Sequence, residues 1–349
     1  MKPIKWPQTW YPVRRSSEVR PGEIVPVRAL GDDYILVRSP KGQVAFMEGH
    51  CSHRGASLAD GGKFLGECIQ CPFHGLQYGL EGRCVKVPGT DRIPKSAVLR
   101  SYPVVESMGM IWMFYGPKPT FPPPDMENCG VIQEVGNQGK LTMAYAFRNV
   151  RRCLMRDSIC GSLDYQHGNL VHGGRATLDK LEQPTPHELI VTLDVHYIGA
   201  GYLRHRKWLR LGTHVTYKGH YWGPAIVYTH FFGQRQMLGH IRACLPIDEN
   251  LTQTDMLFVT KVRHNGGVPR LQLAVRKFFA HHQDGEDAFL DRQKPRAMYL
   301  KDFDEGMIAH HRMCLRMGQN AFEGREPYFV EEDGQVGRFP TSSGASESG

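Results

Sequence analysis

Short apolar runs separated by polar, glycine-containing turns make up the first third of the chain. Tyr34–Val37 and Val44–Met47 flank a charged turn at residues 39–43, and this pattern predicts a β-hairpin. Met108–Tyr115 is mostly apolar and aromatic, which predicts a buried strand closing the same region. The pattern therefore indicates an all-β first domain.

Prolines become frequent directly after this strand. They cannot continue a sheet or a helix, so we expect a linker between two domains at this point. The predicted domains span residues 1–118 and 119–333. The prolines of the predicted linker are Pro117, Pro119, Pro122, Pro123 and Pro124.

The second domain mixes helical and extended patterns. Residues 148–163, 275–290 and 303–317 predict helices, and residues 187–262 contain several strand-like runs. These elements predict an antiparallel sheet covered by helices, so the fold class is α+β. Residues 334–349, rich in serine and glycine, predict a disordered tail.

Composition narrows the class of protein. The chain has 349 residues, 41% hydrophobic and 22% charged, which is typical of a globular protein and not of a disordered, collagen-like or coiled-coil chain. The net charge of +8 comes from scattered basic residues, which disfavours nucleic-acid binding. No apolar window is long enough for a membrane span. Nine cysteines without an export signal predict a reducing, cytoplasmic location.

Two short segments each pair a cysteine with a histidine. Cys51 and His53 form the first pair, and Cys71 and His74 form the second, with 17 residues between the pairs. Two thiolates and two imidazoles suit a structural zinc ion. They equally suit a [2Fe–2S] cluster in which two cysteines hold one iron and two histidines hold the other.

The spacing favours the cluster over zinc. Zinc loops usually space their ligands as C-x₂₋₄-C, whereas a single residue separates Cys51 from His53. Gly55 and Gly75 follow the two pairs and allow backbone N–H groups to approach bridging sulfides. The order C-x-H…C-x₂-H over residues 49–88 resembles the Rieske proteins. The resemblance implies that these two cysteines and two histidines bind a [2Fe–2S] cluster.

A further cysteine stands close to the second pair. Cys68 and Cys71 form a C-x-x-C arrangement, for which a redox-active dithiol is one interpretation. We favour a half-buried cysteine on a strand, because Cys71 is already assigned to the cluster.

A second group of candidate metal-site residues follows about 90 residues later: His167 and His172 as ligands, with Asp164 one helical turn before His167. Asp164 and His167 have the spacing that shares a helix face, whereas His172 reaches the same ion only if the helix ends near Gly168. Two imidazoles and a carboxylate from elsewhere form the facial triad of non-heme Fe(II) oxygenases. Placed after a Rieske motif, this group resembles the Rieske non-heme iron oxygenases, and the resemblance covers residues 7–317.

The resemblance implies a third iron ligand, an aspartate on a late helix. Asp287 fits best because it follows Glu286, although Gln293 comes six residues after it where the family has seven. Asp284 and Asp291 lie on nearly the same helical face as Asp287, and each is an alternative.

The resemblance also implies an activity. Its members are terminal oxygenase subunits with one [2Fe–2S] cluster and one Fe²⁺ per chain. They are monooxygenases or dioxygenases that use O₂ to hydroxylate, or oxidatively dealkylate, a small substrate. For this chain we expect an apolar substrate, aromatic or polycyclic. Two alternatives remain: a Rieske-type electron carrier without oxygenase activity, and a zinc-stabilised binding module. The aromatic residues expected to contact an apolar substrate are Trp208, Tyr221, Trp222, Tyr228, Phe231 and Phe232.

Partners follow from the same resemblance. No G-x-G-x-x-G fingerprint follows a strand, so electrons would come from a separate ferredoxin, a flavin reductase or both. The family forms rings, commonly homotrimers, in which one subunit's cluster faces the next subunit's iron. Asp164 matches the carboxylate that connects the second cluster histidine, here His74, to an iron histidine, here His167.

Overall fold

The chain divides into two compact units in the computed structural model. It describes residues 6–125, 141–167, 169, 174–197, 214–232, 238–261, 298–301, 303–318, 328–330 and 336–338. The N-terminal unit comprises Trp10–Pro123 with Leu245–Glu249, and the second unit comprises Met1–Thr9, Pro124–Cys244 and Asn250–Gly349. The division near Pro123 lies in the proline-rich stretch, and the domain limits at residues 118 and 333 stay predictions.

Three small antiparallel sheets build the N-terminal unit, together with a 3₁₀ helix at Ser16–Glu18. Its strands are β1 (Trp10–Arg15), β2 (Glu23–Ala29), β3 (Asp32–Arg38), β4 (Val44–Glu48), β5 (Lys63–Leu65), β6 (Cys68–Gln70), β7 (Gln77–Tyr78), β8 (Cys84–Lys86), β9 (Ser101–Tyr102), β10 (Val104–Ser107) and β11 (Met110–Phe114). The sheet orders are β1-β11-β10, β2-β3-β4-β9 and β5-β6-β7-β8.

Continuous apolar runs produce the central strands of this unit. All five residues of β11 are buried between β1 and β10, and Tyr34–Val37 on β3 are buried as well. Strands β3 and β4 pair in register from Tyr34 opposite Glu48 to Arg38 opposite Val44, which confirms the predicted hairpin. The core between the sheets includes Cys51 and Cys71 beside Ile35, Met47, Leu58, Ile69 and Tyr78.

A seven-stranded antiparallel sheet forms most of the second unit. Its strands are β12 (Leu141–Arg151), β13 (Gly174–Glu182), β14 (Glu188–Tyr197), β15 (His214–Trp222), β16 (Ile226–Phe232), β17 (Leu238–Asp248) and β18 (Leu251–Lys261), in the order β12-β18-β17-β16-β15-β14-β13. Short strands β19 (Met298–Leu300), β20 (Tyr328–Val330) and β21 (Val336–Arg338) form a separate small sheet.

Two helices cover one face of the large sheet. Met155–Ile159 continues into a 3₁₀ turn at Cys160–Ser162, and a longer helix spans Glu305–Arg316. Tyr221 on β15 contacts both, because its hydroxyl donates to the Ile159 carbonyl at 3.3 Å and its ring lies 5.7 Å from that of His310. The predicted antiparallel sheet covered by helices, and the α+β class, are confirmed.

The helix predicted over residues 148–163 is wrong in its first part. Residues 148–151 belong to β12, where Arg151 lies opposite Thr252, and the helix begins only at Met155. Arg148 forms an ion pair of 2.9 Å with the fully buried carboxylate of Asp255 on β18. This partner is distant in sequence, so the local pattern could not reveal it.

The ends of the second unit give mixed outcomes for the sequence predictions. The helix predicted over residues 303–317 is confirmed by Glu305–Arg316, whereas the one predicted over residues 275–290 lies outside the described residues. Val336–Arg338 pairs with Tyr328–Val330, so the chain keeps regular structure beyond residue 334, where the tail was expected to begin. Among the described helices, none has the length and apolar character needed to cross a membrane.

Gly82 provides a test of packing in the N-terminal unit. Its φ is +85°, and a Cβ there would lie 2.1 Å from the carbonyl oxygen of Leu99. Gly22 has nearly the same φ, +80°, but no atom lies within 4 Å of its Cβ position. Gly82→Ala should therefore lower the free energy of unfolding by about 1–3 kcal/mol more than Gly22→Ala, because only Gly82→Ala adds a steric clash to the left-handed strain.

Urea denaturation of the two variants, followed by tryptophan fluorescence, measures this difference. Equal losses in Gly82→Ala and Gly22→Ala would show that the Leu99 carbonyl does not constrain this turn.

Candidate metal centres

Two loops with the same backbone hydrogen bonds position the cysteine–histidine pairs. In the first loop, the Cys51 N–H donates to Ala56 at 2.8 Å, and the Cys51 carbonyl accepts from Gly55 at 2.9 Å. In the second, the Cys71 N–H donates to Leu76 at 2.8 Å, and the Cys71 carbonyl accepts from Gly75 at 3.1 Å. The first loop follows β4, and the second connects β6 to β7.

Both closing glycines adopt the left-handed conformation, with φ of +70° at Gly55 and +76° at Gly75. A side chain at either position would be strained. The two loops therefore have the same backbone conformation at their closing residues. The histidine stands two residues after the cysteine in the first loop (C-x-H) and three residues after it in the second (C-x₂-H), so both spacings occur within equivalent loops.

The four side chains separate into a buried pair and an exposed pair. Cys51 and Cys71 are 4% and 2% exposed, whereas the imidazoles of His53 and His74 are exposed and their ring centroids lie 4.8 Å apart. Burial raises the pKa of the Cys71 thiol, and backbone hydrogen bonds from Phe73 and His74 act in the opposite direction. These backbone donors would favour a metal-bound thiolate.

This arrangement fits a binuclear cluster better than a single ion. Among the described residues, only one group of three ligand atoms lies mutually within 4.8 Å, and it contains none of Cys51, His53, Cys71 and His74. A tetrahedral zinc site would require these four to converge on one point. An inner thiol pair and an outer imidazole pair match a [2Fe–2S] cluster with two cysteines on one iron and two histidines on the other.

Two hydroxyl groups beside Cys51 were not singled out from the sequence. The Tyr78 hydroxyl lies 3.1 Å from Cys51 Sγ and 2.9 Å from Ser52 Oγ. Burial, reinforced by the hydrogen bond with Cys51, raises the pKa of Tyr78, so its hydroxyl stays protonated and can donate to a thiolate. The feature that could have indicated the contact between Tyr78 and Cys51 is the position of Tyr78 on the strand that follows the second loop, opposite Ile69.

Cys68 lies where the interpretation as a half-buried strand cysteine expects it. The residue is half-buried on β6, opposite Leu65 on β5.

Asp164 and His167 lie together in the second unit. Asp164 follows the 3₁₀ turn and is itself in irregular structure, so the two residues do not share a continuous helix as their spacing predicted. His167 Nδ1 lies 3.7 Å from the Asp164 carboxylate and makes a closer contact with the Asp164 carbonyl oxygen. With Nδ1–H donating to this carbonyl, Nε2 is the ring nitrogen that carries a lone pair for a metal.

Hydrogen bonds to the sheet hold the segment before Asp164. Ser162 bonds to the Tyr221 hydroxyl, Ser158 Oγ lies 2.8 Å from Thr254 Oγ1, and the Arg242 guanidinium donates to the Ser158 carbonyl at 2.9 Å. The segment is thus anchored to β15, β17 and β18.

Asn169 anchors the chain after His167. The Asn169 side chain accepts from the Ala176 N–H on β13 at 2.7 Å and donates to the Gln166 side chain at 3.1 Å. Both ends of the short segment that contains Asp164 and His167 are therefore fixed to the sheet.

The other predicted iron ligands lie outside the described residues: His172, Asp287, Asp284 and Asp291. Of the predicted substrate-contacting aromatics, Tyr221, Trp222 and Tyr228 are buried. Because Tyr221 contacts the two helices that cover the sheet, this residue belongs to the core of the second unit. The structure describes neither Trp208 nor the side chains of the two phenylalanines.

Comparison with known proteins agrees with the first metal centre. Residues 9–103 match the Rieske [2Fe-2S] domain family. Cholesterol 7-desaturase from Bombyx mori is 29% identical over 189 residues, 54% of this chain and 40% of that protein. Aminopyrrolnitrin oxygenase from Pseudomonas fluorescens is 32% identical over 174 residues, 47% of this chain and 45% of that protein. The matched part spans less than half the length of each relative.

Solved structures share the fold of the chain. Dicamba monooxygenase bound to dicamba matches with a TM-score of 0.66 and 19% identity, over 89% of this chain and 97% of that one. Dicamba monooxygenase with non-heme iron and dicamba matches with a TM-score of 0.61 and 18% identity, over the same shares of the two chains.

The chain therefore contains a Rieske [2Fe–2S] domain, as the C-x-H…C-x₂-H motif predicted. In sequence and fold it is related to the Rieske oxygenases, which confirms the resemblance inferred from both motifs.

The Tyr78 hydroxyl allows a test of the cluster site. Tyr78→Phe should lower the reduction potential of the cluster by about 40–60 mV, because a hydrogen bond to a ligand sulfur worth about 1 kcal/mol stabilises the reduced, more negative state. Redox titration followed by EPR measures the shift. Tyr34→Phe removes another buried hydroxyl of the same unit and serves as the control. Equal potentials in Tyr78→Phe and the wild type would contradict the assignment of Cys51 as a ligand.

Proposed function

We propose that the chain is the terminal oxygenase of a multicomponent Rieske system. The observation that carries this proposal is the combination of a Rieske [2Fe–2S] domain with a second unit in which Asp164 and His167 lie in contact. An electron-transfer protein needs only the first of these features. A mononuclear iron bound in the second unit would supply O₂ activation.

His167 would contribute one ligand to this iron through Nε2, since its Nδ1 faces the Asp164 carbonyl. His172 and Asp287 would complete a 2-His-1-carboxylate set, with Asp284 or Asp291 as the alternative carboxylate. The fixed ends of the segment that contains His167 would hold its imidazole in one orientation, which a facial triad with open positions requires.

The relatives favour the oxygenase over the electron carrier, since they are named as an oxygenase and a desaturase. We propose a small apolar substrate, aromatic or polycyclic. Hydroxylation would insert one atom of O₂ into a C–H bond and reduce the other to water with two electrons and two protons. Where the hydroxylated carbon carries oxygen or nitrogen, the product would collapse and the net reaction would be dealkylation.

Electrons would come from a separate ferredoxin, a flavin reductase or both. His53 and His74 are exposed, and Phe73 between the second pair of ligands is 62% exposed. A donor could therefore approach the histidine side of the cluster closely. The net charge of +8 would suit an acidic donor. We place the protein in the cytoplasm, where such donors and reduced cysteines occur together.

Asp164 would connect the cluster of one subunit to the iron of the next in a ring, most simply a homotrimer, so that electrons pass between subunits at this contact. Its carboxylate contacts His167 and is 43% exposed, so an oxygen atom can accept a hydrogen bond from His74 of a neighbouring subunit. A head-to-tail contact of this kind closes into a ring.

Product analysis tests the proposed reaction. The purified chain, a reductase and a panel of aromatic, methoxylated and steroid substrates are incubated under ¹⁸O₂, and the products are analysed by mass spectrometry. A hydroxylated product that carries ¹⁸O, or a dealkylated product formed together with the released aldehyde, supports the oxygenase if its formation requires both O₂ and the electron donor. Reduction of an added acceptor protein, with no product from any substrate, would support the electron carrier.

Replacing His167 tests the proposed iron site independently of the cluster. His167→Ala should reduce turnover by at least about 10³-fold, because the iron loses a ligand, and should leave the visible and EPR spectra of the cluster unchanged. Steady-state oxygen consumption and EPR measure both quantities on the same preparation. Substantial turnover in His167→Ala would refute this ligand.

Replacing Asp164 tests the route between subunits. Asp164→Asn should retain both metals and lose most of its turnover, since the neutral amide is a weaker acceptor than the carboxylate for the imidazole N–H of His74 from a neighbouring subunit. Rapid-mixing absorption measures reoxidation of the reduced cluster, which should slow severely. Asp179→Asn, an exposed change on β13, serves as the control.

Mixed oligomers provide the second measurement. Chains without the cluster (Cys71→Ala) combined with chains without the iron site (His167→Ala) should recover part of the activity. An active monomer, or no recovery in verified mixed oligomers, would refute transfer between subunits.

A further inference from the structure

Two adjacent strands of the large sheet bring three ligand side chains together at their ends. His196 on β14 lies directly opposite His214 on β15, and Asp194 stands two residues before His196. Side chains two residues apart point to the same face of a strand. The neighbouring Val195 and Val215 are buried on the opposite face, so the three polar side chains share the solvent-facing side.

The three side chains form one compact group. The imidazole rings of His196 and His214 stack with centroids 4.1 Å apart and planes at 13°. Asp194 lies between their nitrogens: one carboxylate oxygen is 3.4 Å from His196 Nε2, and the other contacts His214 Nε2. One ligand atom from each residue lies within 4.8 Å of the other two.

An ordinary ion pair does not account for the whole arrangement. A single protonated histidine would satisfy the Asp194 carboxylate, and a second protonated imidazole stacked on it would be repelled. An aspartate carboxyl is ordinarily ionised at neutral pH, so the group contains one negative charge shared by two imidazoles. Two imidazoles that share one carboxylate fit a cation that accepts lone pairs from all three groups.

We propose that Asp194, His196 and His214 bind a divalent transition-metal ion. Two nitrogens and one carboxylate oxygen are typical ligands of Zn²⁺, Cu²⁺ and Ni²⁺, whereas Mg²⁺ and Ca²⁺ prefer oxygen ligands. Side-chain rotation can close the remaining distances, because all three side chains are at least 41% exposed. Water would fill the remaining coordination positions.

The bound ion would join β14 and β15 where both strands leave the sheet. None of the three residues belongs to the cluster ligands or to the proposed iron ligands, so this site does not depend on the proposed oxygenase function. An ion that binds only the folded chain raises its thermal stability by mass action. Zinc should therefore raise the melting temperature of the second unit.

Equilibrium dialysis of the iron-loaded holoenzyme against Zn²⁺ tests the site, with zinc and iron measured together by mass spectrometry. The wild type should take up about one Zn²⁺ per chain with no loss of iron. His196→Gln and His214→Gln should each weaken zinc binding by at least about tenfold, as metal-site residues generally do. Thr216→Val, an exposed change two residues from His214, should bind zinc as the wild type does.

Melting curves with and without zinc provide an independent measurement on the same proteins. Zinc should raise the melting temperature of the wild type and of Thr216→Val, and should raise that of the two glutamine variants by less at the same zinc concentration. Three results would overturn the proposal: no zinc uptake, uptake matched by an equal loss of iron, or equal affinity in the wild type and in both glutamine variants.

Discussion

A pair of backbone hydrogen bonds closes each cysteine loop, and the positions of the four predicted cluster ligands depend on these bonds. Each cysteine donates to the residue five positions later and accepts from a left-handed glycine four positions later. This closure directs the thiol into the core, where Ile35, Leu58 and Ile69 surround the cysteines. The histidines, further along each loop, are left at the surface. The division of the ligands into an inner and an outer pair therefore follows from the loop frame.

The second unit uses a different means to hold the two described residues of its predicted iron site. Asp164 and His167 lie on a short segment with little regular structure of its own. The side chains of Tyr221 and Arg242 hold this segment before the pair, and the backbone N–H of Ala176 holds it after the pair. Buried and partly buried hydrogen bonds of this kind cost free energy when they are broken. A rigid sheet thereby supports a ligand loop that could not keep one conformation alone.

The sequence predicted best where the determinant is local. The Rieske motif, the β3–β4 hairpin and the long C-terminal helix depend on neighbouring residues, and the domain family and both structural elements were predicted correctly. Residues 148–151 were wrongly predicted as helix. They pair with β18, whose residues are about 100 positions away in the sequence, and a local pattern does not reveal such partners. Tyr78 was missed for the same reason, since its role depends on where two loops meet in space. The acidic segment around Asp287, predicted to be helical, lies outside the described residues, so the choice of the third iron ligand is a prediction from the sequence alone.

The number of irons per chain tests the central claim most directly. A Rieske cluster contributes two irons and two acid-labile sulfides, and the proposed mononuclear site adds one further iron. Iron and sulfide analysis of the purified protein, reconstituted with Fe²⁺ and freed of loosely bound metal, should give about three irons and two sulfides per chain. A ratio of about two irons to two sulfides would leave only an electron carrier and would contradict the oxygenase assignment.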